Sequence, residues 1–225
     1  MVNSYYLYKN EEYAMINILI ADDHAIVREG LKQIVAEEKD ILVTGEASNS
    51  GELMDLLRNK SFDLIILDIN MPGKSGLEAL KEIKIEFTDL PVLILSMYSE
   101  DQYGLRAIRA GAAGFLKKVS APEELVKAIR LIKDGGKYIS QELAEKMAVS
   151  FDKGQKSLPH ENLSDREYQI MCAIASGQSA ESIAHDLSIS VHTVYSYRNR
   201  ILEKLALKTN VEITQYAIQN KLIEL

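Results

Sequence analysis

One short stretch constrains this chain more than any other: Phe62-Asp63-Leu64-Ile65-Ile66-Leu67-Asp68-Ile69-Asn70-Met71-Pro72-Gly73. Its four consecutive apolar residues, Leu64 to Leu67, are too few for a helix. They read as a strand buried on both faces, the pattern of a parallel sheet. Asp68 sits where that strand leaves the sheet, and in open parallel α/β sheets ligands bind outside the carboxyl ends of the strands. A lone strand-end Asp serves equally well as a cap on the following turn, so its meaning depends on the rest of the chain.

The neighbouring sequence supplies the remainder of such a sheet. Residues 1–14 are rich in Tyr and Asn and have no apolar period. They read as a flexible extension, with Met15 an alternative start. Ile18 to Ala21 is a strand, followed by Asp22-Asp23 and a helix with Ile26, Val27, Leu31, Ile34 and Val35 on one side. Ile41 to Thr44 is the second strand, and Asn49 caps a helix that carries Glu52 three residues on. After the strand ending at Asp68, a helix spans Ser75 to Phe87, a strand spans Pro91 to Leu95 and ends at Ser96, and a helix spans Asp101 to Ala110. Gly114 to Lys117 is the fifth strand, ending at Lys118, and Pro122 opens the last helix, which stops at Gly135-Gly136. Five strands alternating with helices predict a doubly wound α/β domain with a parallel sheet over 15–136.

A short helix over Ser140 to Val149 and an aperiodic stretch of Gly, Pro and charge make 137–159 a linker. The pattern then becomes purely helical over 160–225. Ser164 and Glu167 form a capping box, Ser179 to Leu187 is a short helix, Ser188-Ile189-Ser190 is a tight turn, and Val191 to Ala206 is a longer helix. A short helix, a tight turn and a longer helix are the helix-turn-helix outline; Val211 to Gln219 is the last helix.

Bulk properties remove several classes of function. At 225 residues, 47% hydrophobic and 26% charged, the chain has enough sequence for two packed cores and is not disordered. One Cys excludes an intrachain disulfide and a Cys-based metal cluster. There is no signal peptide, and no apolar run approaches the roughly 18 residues needed to span a bilayer. A cytoplasmic setting is expected, with no membrane partner. The net charge of −7 argues against indiscriminate nucleic-acid binding.

In a parallel sheet the ends of the strands share one rim, so Asp22, Asp23, Asp68, Ser96 and Lys118 converge. Three carboxylates this close repel one another unless a cation sits among them, and oxygen-only ligands suit Mg²⁺. A carboxylate can attack phosphorus to give an aspartyl-phosphate, and Lys118 with the metal can hold the charge on the transferring group. A haloacid-dehalogenase-type phosphatase, the nearest enzyme alternative, also forms an aspartyl-phosphate but wants a second Asp two residues beyond the nucleophile, where this chain has Asn70. Without that acid a phosphoryl group is held rather than turned over. The domain is therefore expected to be a self-phosphorylating acceptor with slow autodephosphorylation at most, not an enzyme.

The set Asp22-Asp23, Asp68-Ile69-Asn70-Met71-Pro72-Gly73, Ser96 and Gly114-Phe115-Leu116-Lys117-Lys118 resembles the receiver domain of bacterial response regulators over about 17–135. The resemblance implies that Asp68 is the phosphoacceptor and that Asp22, Asp23, Asp68 and the backbone carbonyl of Asn70 bind the metal. It further implies that Ser96 turns toward the phosphoryl group, that Phe115 is the aromatic switch following it inward, and that Lys118 is the family's lysine, with Lys117 its solvent-facing neighbour. Val119, where many receivers have Pro or Asp, departs from the pattern.

On the helix Val191 to Ala206, Val194, Ile201 and Leu205 make one apolar stripe, while His192, Tyr195, Ser196, Asn199, Arg200 and Glu203 point the other way. Asn and Ser suit base edges. Arg198, Arg200, Lys204 and Lys208 suit phosphates, and Ser190 or Thr193 can meet a phosphate at the helix start. Against this, residues 158–225 hold six Lys+Arg and eight Asp+Glu, a net −2, which fits a protein-interaction module as well as a DNA-binding one. The motifs Leu163-Ser164-Asp165-Arg166-Glu167, Leu187-Ser188-Ile189-Ser190, Thr193-Val194 and Ile201-Leu202-Glu203-Lys204-Leu205 are similar to the LuxR-type helix-turn-helix. With the receiver, the whole resembles a NarL/FixJ-type response regulator. The resemblance implies base-facing Tyr195, Ser196 and Asn199, a backbone contact from Tyr197, and dimerisation through the last helix at Ile213, Ala217 and Ile218. Its implied partners are a sensor histidine kinase, double-stranded promoter DNA and a second copy of the chain. Cys172 reads as core, and His24, His160, His185 and His192 as surface or capping residues.

Overall fold

The computed structural model describes residues 15–72, 74–150 and 158–223; the expectations placed on 1–14 and on the linker centre at 151–157 lie outside them. Strands β1 (Ile16–Ala21), β2 (Ile41–Ala47), β3 (Leu64–Asp68), β4 (Val92–Ser96) and β5 (Gly114–Lys117) form one parallel sheet in the order β2-β1-β3-β4-β5. All five residues of β3 and of β4 are buried. That is why these two strands read as unbroken apolar runs: helices cover them on both faces. Each fully buried Leu or Ile there contributes about 1.5–3 kcal/mol.

Helices α1 (Ala25–Val35) and α5 (Ala121–Lys133) cover one face, with Leu31, Val35, Leu125 and Ile129 packed on Ile18, Ile20, Leu64 and Ile66. The other face receives α2 (Ser50–Asn59), α3 (Gly76–Glu86) and α4 (Glu100–Arg109), through Leu53, Leu57, Leu80, Ile83, Tyr103 and Ala107. Asn49 caps α2 by accepting from the Glu52 amide, and Ser75 and Glu78 close a capping box on α3. Beyond α5 the chain returns to the edge of β5, where the Phe115 amide donates to the Tyr138 carbonyl at 2.9 Å. Gly114 permits this approach, since a Cβ there would stand 2.7 Å from the Tyr138 carbonyl oxygen. Helix α6 (Gln141–Ser150) then lies along α4.

The second domain packs α7 (Asp165–Ala175), α8 (Ala180–Asp186), α9 (Val191–Leu205) and α10 (Asn210–Gln219) together. The capping box of Ser164 and Glu167 is formed as expected, and Val194, Ile201 and Leu205 face the core. One feature exceeds the sequence expectation: all eleven residues of α7 are buried, not only the apolar stripe. One side of α7 packs in its own domain, and the other rests on the α/β domain, so the apolar core on the α3–α4 side of the sheet continues into the helical domain. A helix sandwiched in this way has no solvent face to make amphipathic.

Candidate functional site

Asp22 and Asp23 follow β1, Asp68 closes β3, Ser96 closes β4 and Lys118 follows β5. These four strand ends therefore converge as the sequence predicts. Lys118 Nζ lies 2.6 Å from Asp22 Oδ2 and 3.0 Å from Asp68 Oδ2. Asp22 and Asp68 are 1% and 3% exposed, so these charges interact with little solvent screening. Burial pushes the Asp68 carboxyl up to about 6; the Lys118 charge works against that rise and the Asp22 charge adds to it. Burial acts to lower the Lys118 pKa, but the Asp68 and Asp22 carboxylates outweigh it and hold the ammonium above its ordinary value.

Ligand atoms of Asp22, Asp23, His24 and Asp68 all lie within 4.8 Å of one another. Asp22 Oδ2, Asp23 Oδ1 and Asp68 Oδ2 are buried and receive no hydrogen bond of proper geometry. Buried carboxylate oxygens with lone pairs to spare are what a metal ion needs, so the cluster is compatible with metal binding. His24 joins the group although its spacing gave no metal signal. It stands at the N-cap position of α1 without a side-chain cap, and its Nδ1 lies 2.7 Å from Asp23 Oδ1.

Two neighbours shape the pocket. Ser96 is 1% exposed, and its Oγ accepts from the Tyr98 amide at 3.1 Å. Phe115 is buried in the core in this conformation. Gly76, which sequence reasoning did not single out, packs against the backbone of Asp68: a Cβ there would collide with the Asp68 carbonyl oxygen and stand 2.7 Å from Ile69 Cα. The Gly76 amide also donates to the Ile69 carbonyl at 2.8 Å. The start of α3 thereby sets the backbone that presents Asp68.

In the helical domain His192, Tyr195, Asn199, Arg200 and Lys204 are exposed on α9, and Thr193, Ser196 and Tyr197 are half-buried. Ser190 caps α9 by accepting from the Thr193 amide at 3.0 Å, while Ser196 Oγ donates to the His192 carbonyl at 3.0 Å. Tyr197 packs on the core beneath the Arg200 guanidinium. Lys204 reaches back to Glu167 Oε2 at 2.6 Å. On α10, Ile213 and Ala217 are fully buried, so of the residues proposed for pairing only Ile218 is exposed.

Residues 18–130 match the family of response regulator receiver domains, and residues 161–217 match the luxR family of bacterial regulatory proteins. The chain is a response regulator. It is 39% identical over 209 residues to the response regulator UvrY of Escherichia coli K12, covering 92% of this chain and 96% of UvrY. To the response regulator GacA of Pseudomonas aeruginosa it is 36% identical over 211 residues, covering 93% and 99%. Among solved structures, the RcsB response regulator of Salmonella typhimurium aligns with a TM-score of 0.65 at 25% identity, covering 92% and 98%. RcsB bound to the promoter rprA in the presence of phosphomimetic BeF3− aligns at 0.61 and 26% identity, covering 89% and 98%. The regulator thus joins a receiver to a LuxR-type DNA-binding domain, which makes it a DNA-binding transcriptional regulator governed by its receiver. Among the described residues no helix is long and apolar enough to cross a membrane.

What the sequence did not show is how the regulator's two domains meet. Gln169 Nε2 donates to Asn70 Oδ1 at 2.7 Å, two residues beyond Asp68. Tyr168 donates its hydroxyl to the Gln102 carbonyl at 2.7 Å and packs edge-on against Tyr103. Arg106 of α4 donates to the carbonyls of His160 and Leu163. The carboxylates of the helical domain find receiver cations: Asp165 pairs with Lys81 and Arg106, and Glu161 with Arg109. His160, expected at the surface or in a cap, is instead buried at this junction, its Nδ1 2.9 Å from the Tyr216 hydroxyl. Burial, with help from the Arg106 charge, holds its pKa below the ordinary value. Cys172 is core, as expected.

Proposed function

We propose that Asp68 accepts a phosphoryl group from a partner sensor histidine kinase in a Mg²⁺-dependent reaction, and that this releases the LuxR-type domain to dimerise on promoter half-sites in the cytoplasm. The observation that carries the reading is the position of the Lys118 ammonium between Asp22 and Asp68, 2.6 and 3.0 Å away. Asp68 Oδ attacks phosphorus in line with the departing donor, and Lys118 holds charge on the transferring group. Asp22, Asp23 and Asp68, with the Asn70 carbonyl, would hold Mg²⁺, which when bound supplies positive charge to the phosphoryl oxygens. Ser96, which closes the neighbouring strand, is the hydroxyl that a phosphoryl oxygen attracts. Its reorientation releases the Tyr98 amide it now accepts from, and Tyr98 leads directly into the aromatic contact with Tyr103 under the helical domain. No general acid stands two residues beyond Asp68, so the chain holds the group and does not act as an enzyme.

The net negative charge of the helical domain was the sequence's best support for a protein partner instead of DNA. Asp165 and Glu161 face receiver cations, so these two carboxylates are turned away from the exposed face of α9. This favours DNA as the target, with His192, Tyr195 and Asn199 toward bases and Arg200 toward phosphate. The test is incubation with acetyl phosphate and Mg²⁺, followed by selection from fragmented genomic DNA. One phosphoryl group per chain and enrichment of a two-fold symmetric site are expected, both lost in Asp68→Asn. Full labelling of that variant, or no sequence selection by the phosphorylated protein, refutes the reading.

A further inference from the structure

The backbone that carries Asp22 and Asp23 is tied down by a residue outside the acidic cluster. Strand β1 ends at Ala21, and the Asp22 amide makes one more strand-like bond, to the Ala47 carbonyl at 3.1 Å. The next carbonyl along, that of Asp22, is past the strand and is not an acceptor for α1, whose first amides, Val27 and Arg28, go to the His24 carbonyl. Arg28 takes it. Its Nη1 donates to the Asp22 carbonyl at 2.7 Å, and its Nε donates to Glu46 Oε2 at 3.1 Å. Glu46, on β2, is held in turn through its other oxygen by Lys32 at 2.8 Å. We infer that Arg28 is a positioning residue for the metal site: by gripping the Asp22 carbonyl from α1, it fixes the peptide between Asp22 and Asp23 and so holds both carboxylates in the geometry that a divalent cation needs.

Asp22 is held at its amide, at its carbonyl and at Oδ1, which accepts the His24 amide at 2.9 Å. Of these ties, the one at the carbonyl sets the plane of the peptide that joins the two acidic residues. When that plane rotates, ψ of Asp22 and φ of Asp23 turn together, and they aim the Asp23 side chain. Mg²⁺ demands near-ideal octahedral geometry, so an error in that direction costs affinity. His24, at the N-cap of α1, makes no side-chain cap bond that would hold the turn in its place. Charge and position predict opposite signs for the loss of Arg28. A guanidinium repels a cation, so by Coulomb's law alone its removal tightens Mg²⁺ binding. Loss of the grip on Asp22 weakens it. Lysine keeps the charge but has no planar fork to span a carbonyl and a carboxylate. Lys32 supplies the comparison, a cation on the same helix that reaches Glu46 and Glu29 rather than Asp22.

This rests on the acidic rim being a Mg²⁺ site. The full unphosphorylated chain, Arg28→Met, Arg28→Lys and Lys32→Met are titrated with MgCl₂, and dissociation constants are read from the amide NMR shifts of Asp23 and Asn70. A melt in metal-free buffer establishes that each protein is folded; if Arg28→Met is not, Arg28→Lys decides alone. Partners one bond removed from metal ligands are typically worth 10–100-fold in affinity, so a dissociation constant raised about 10-fold or more in both Arg28 variants, and within about 2-fold of the parent in Lys32→Met, is expected. A constant in Arg28→Met equal to or below the parent's leaves only the charge and overturns the inference. So does a parent-like constant in Arg28→Lys, or equal weakening in Lys32→Met. Absence of any saturable shift at Asp23 in the parent chain overturns the metal reading beneath it.

Discussion

The Arg106 guanidinium carbon lies 4.0 Å from the centre of the Tyr168 ring, so one receiver side chain holds the helical domain both by its π face and by the carbonyls of His160 and Leu163. Cation–π attraction is worth about 0.5–2 kcal/mol, and each carbonyl left without its charged donor adds about 1–3 kcal/mol. Arg106→Ala is therefore expected to open the junction without unfolding either domain. Hydrogen exchange of the α7 amides, faster by tenfold or more with β3 and β4 unchanged, is the measurement; unchanged α7 protection contradicts it.

The raised pKa of Asp68 has a definite sign. A folded-state value of about 6 against an ordinary Asp value near 3.9 means that the native state binds this proton more tightly than the unfolded chain. This group's contribution is neutral below about pH 4, grows destabilising between about 4 and 6, and is fully destabilising above 6. Asp68→Asn should accordingly raise stability at pH 7 by on the order of 1–3 kcal/mol and leave it nearly unchanged at pH 4. Urea melts at the two pH values check this, and an equal effect at both would contradict it.

The same crowding predicts a response to divalent ions. Millimolar Mg²⁺ should raise the wild-type melting temperature by a few degrees by binding the folded state alone. Asp23→Asn, which removes the most exposed of the three carboxylates, should lose most of that increment. A shift of equal size in both proteins would place the ion elsewhere.

Gly76 is expected to tolerate no side chain. A Cβ there meets the Asp68 carbonyl and Ile69 Cα, both backbone atoms that cannot rotate away, so Gly76→Ala should cost about 1–3 kcal/mol. It should also slow labelling by acetyl phosphate more than tenfold, because the displaced backbone is the one that carries the acceptor. Labelling at the wild-type rate by a stably folded Gly76→Ala protein would remove Gly76 from any role at the site.

Much of this molecule is legible from sequence for one reason: its chemistry sits at strand ends. Asp22, Asp68, Ser96 and Lys118 each follow an apolar run, and parallel pairing brings the ends of such runs together whatever the helices between them do. Gly76 escaped because a glycine at a helix start also reads as ordinary turn chemistry, and only the folded backbone shows what a Cβ would strike. His160 and Gln169 escaped for a different reason. They are polar residues in helical context, and they are buried where the two domains meet, about which no local periodicity carries information. The cavity lined by Asp23, Asn70 and Gln169 belongs to the same class: it is made of two surfaces far apart along the chain, as the Gln169–Asn70 bond across 99 positions shows.

Helix α7 has no face reserved for water. When the domains part, the Tyr168 and Gln169 side of α7 and the Tyr98–Tyr103 surface opposite it become wet together, at a cost of roughly 25 cal/mol for each Å² of apolar area uncovered. An open chain is then a sticky one, left with two bare aromatic patches that only another surface can cover. Under the function proposed above, release and assembly are therefore coupled, and the population of the open form should rise with protein concentration as well as with phosphorylation.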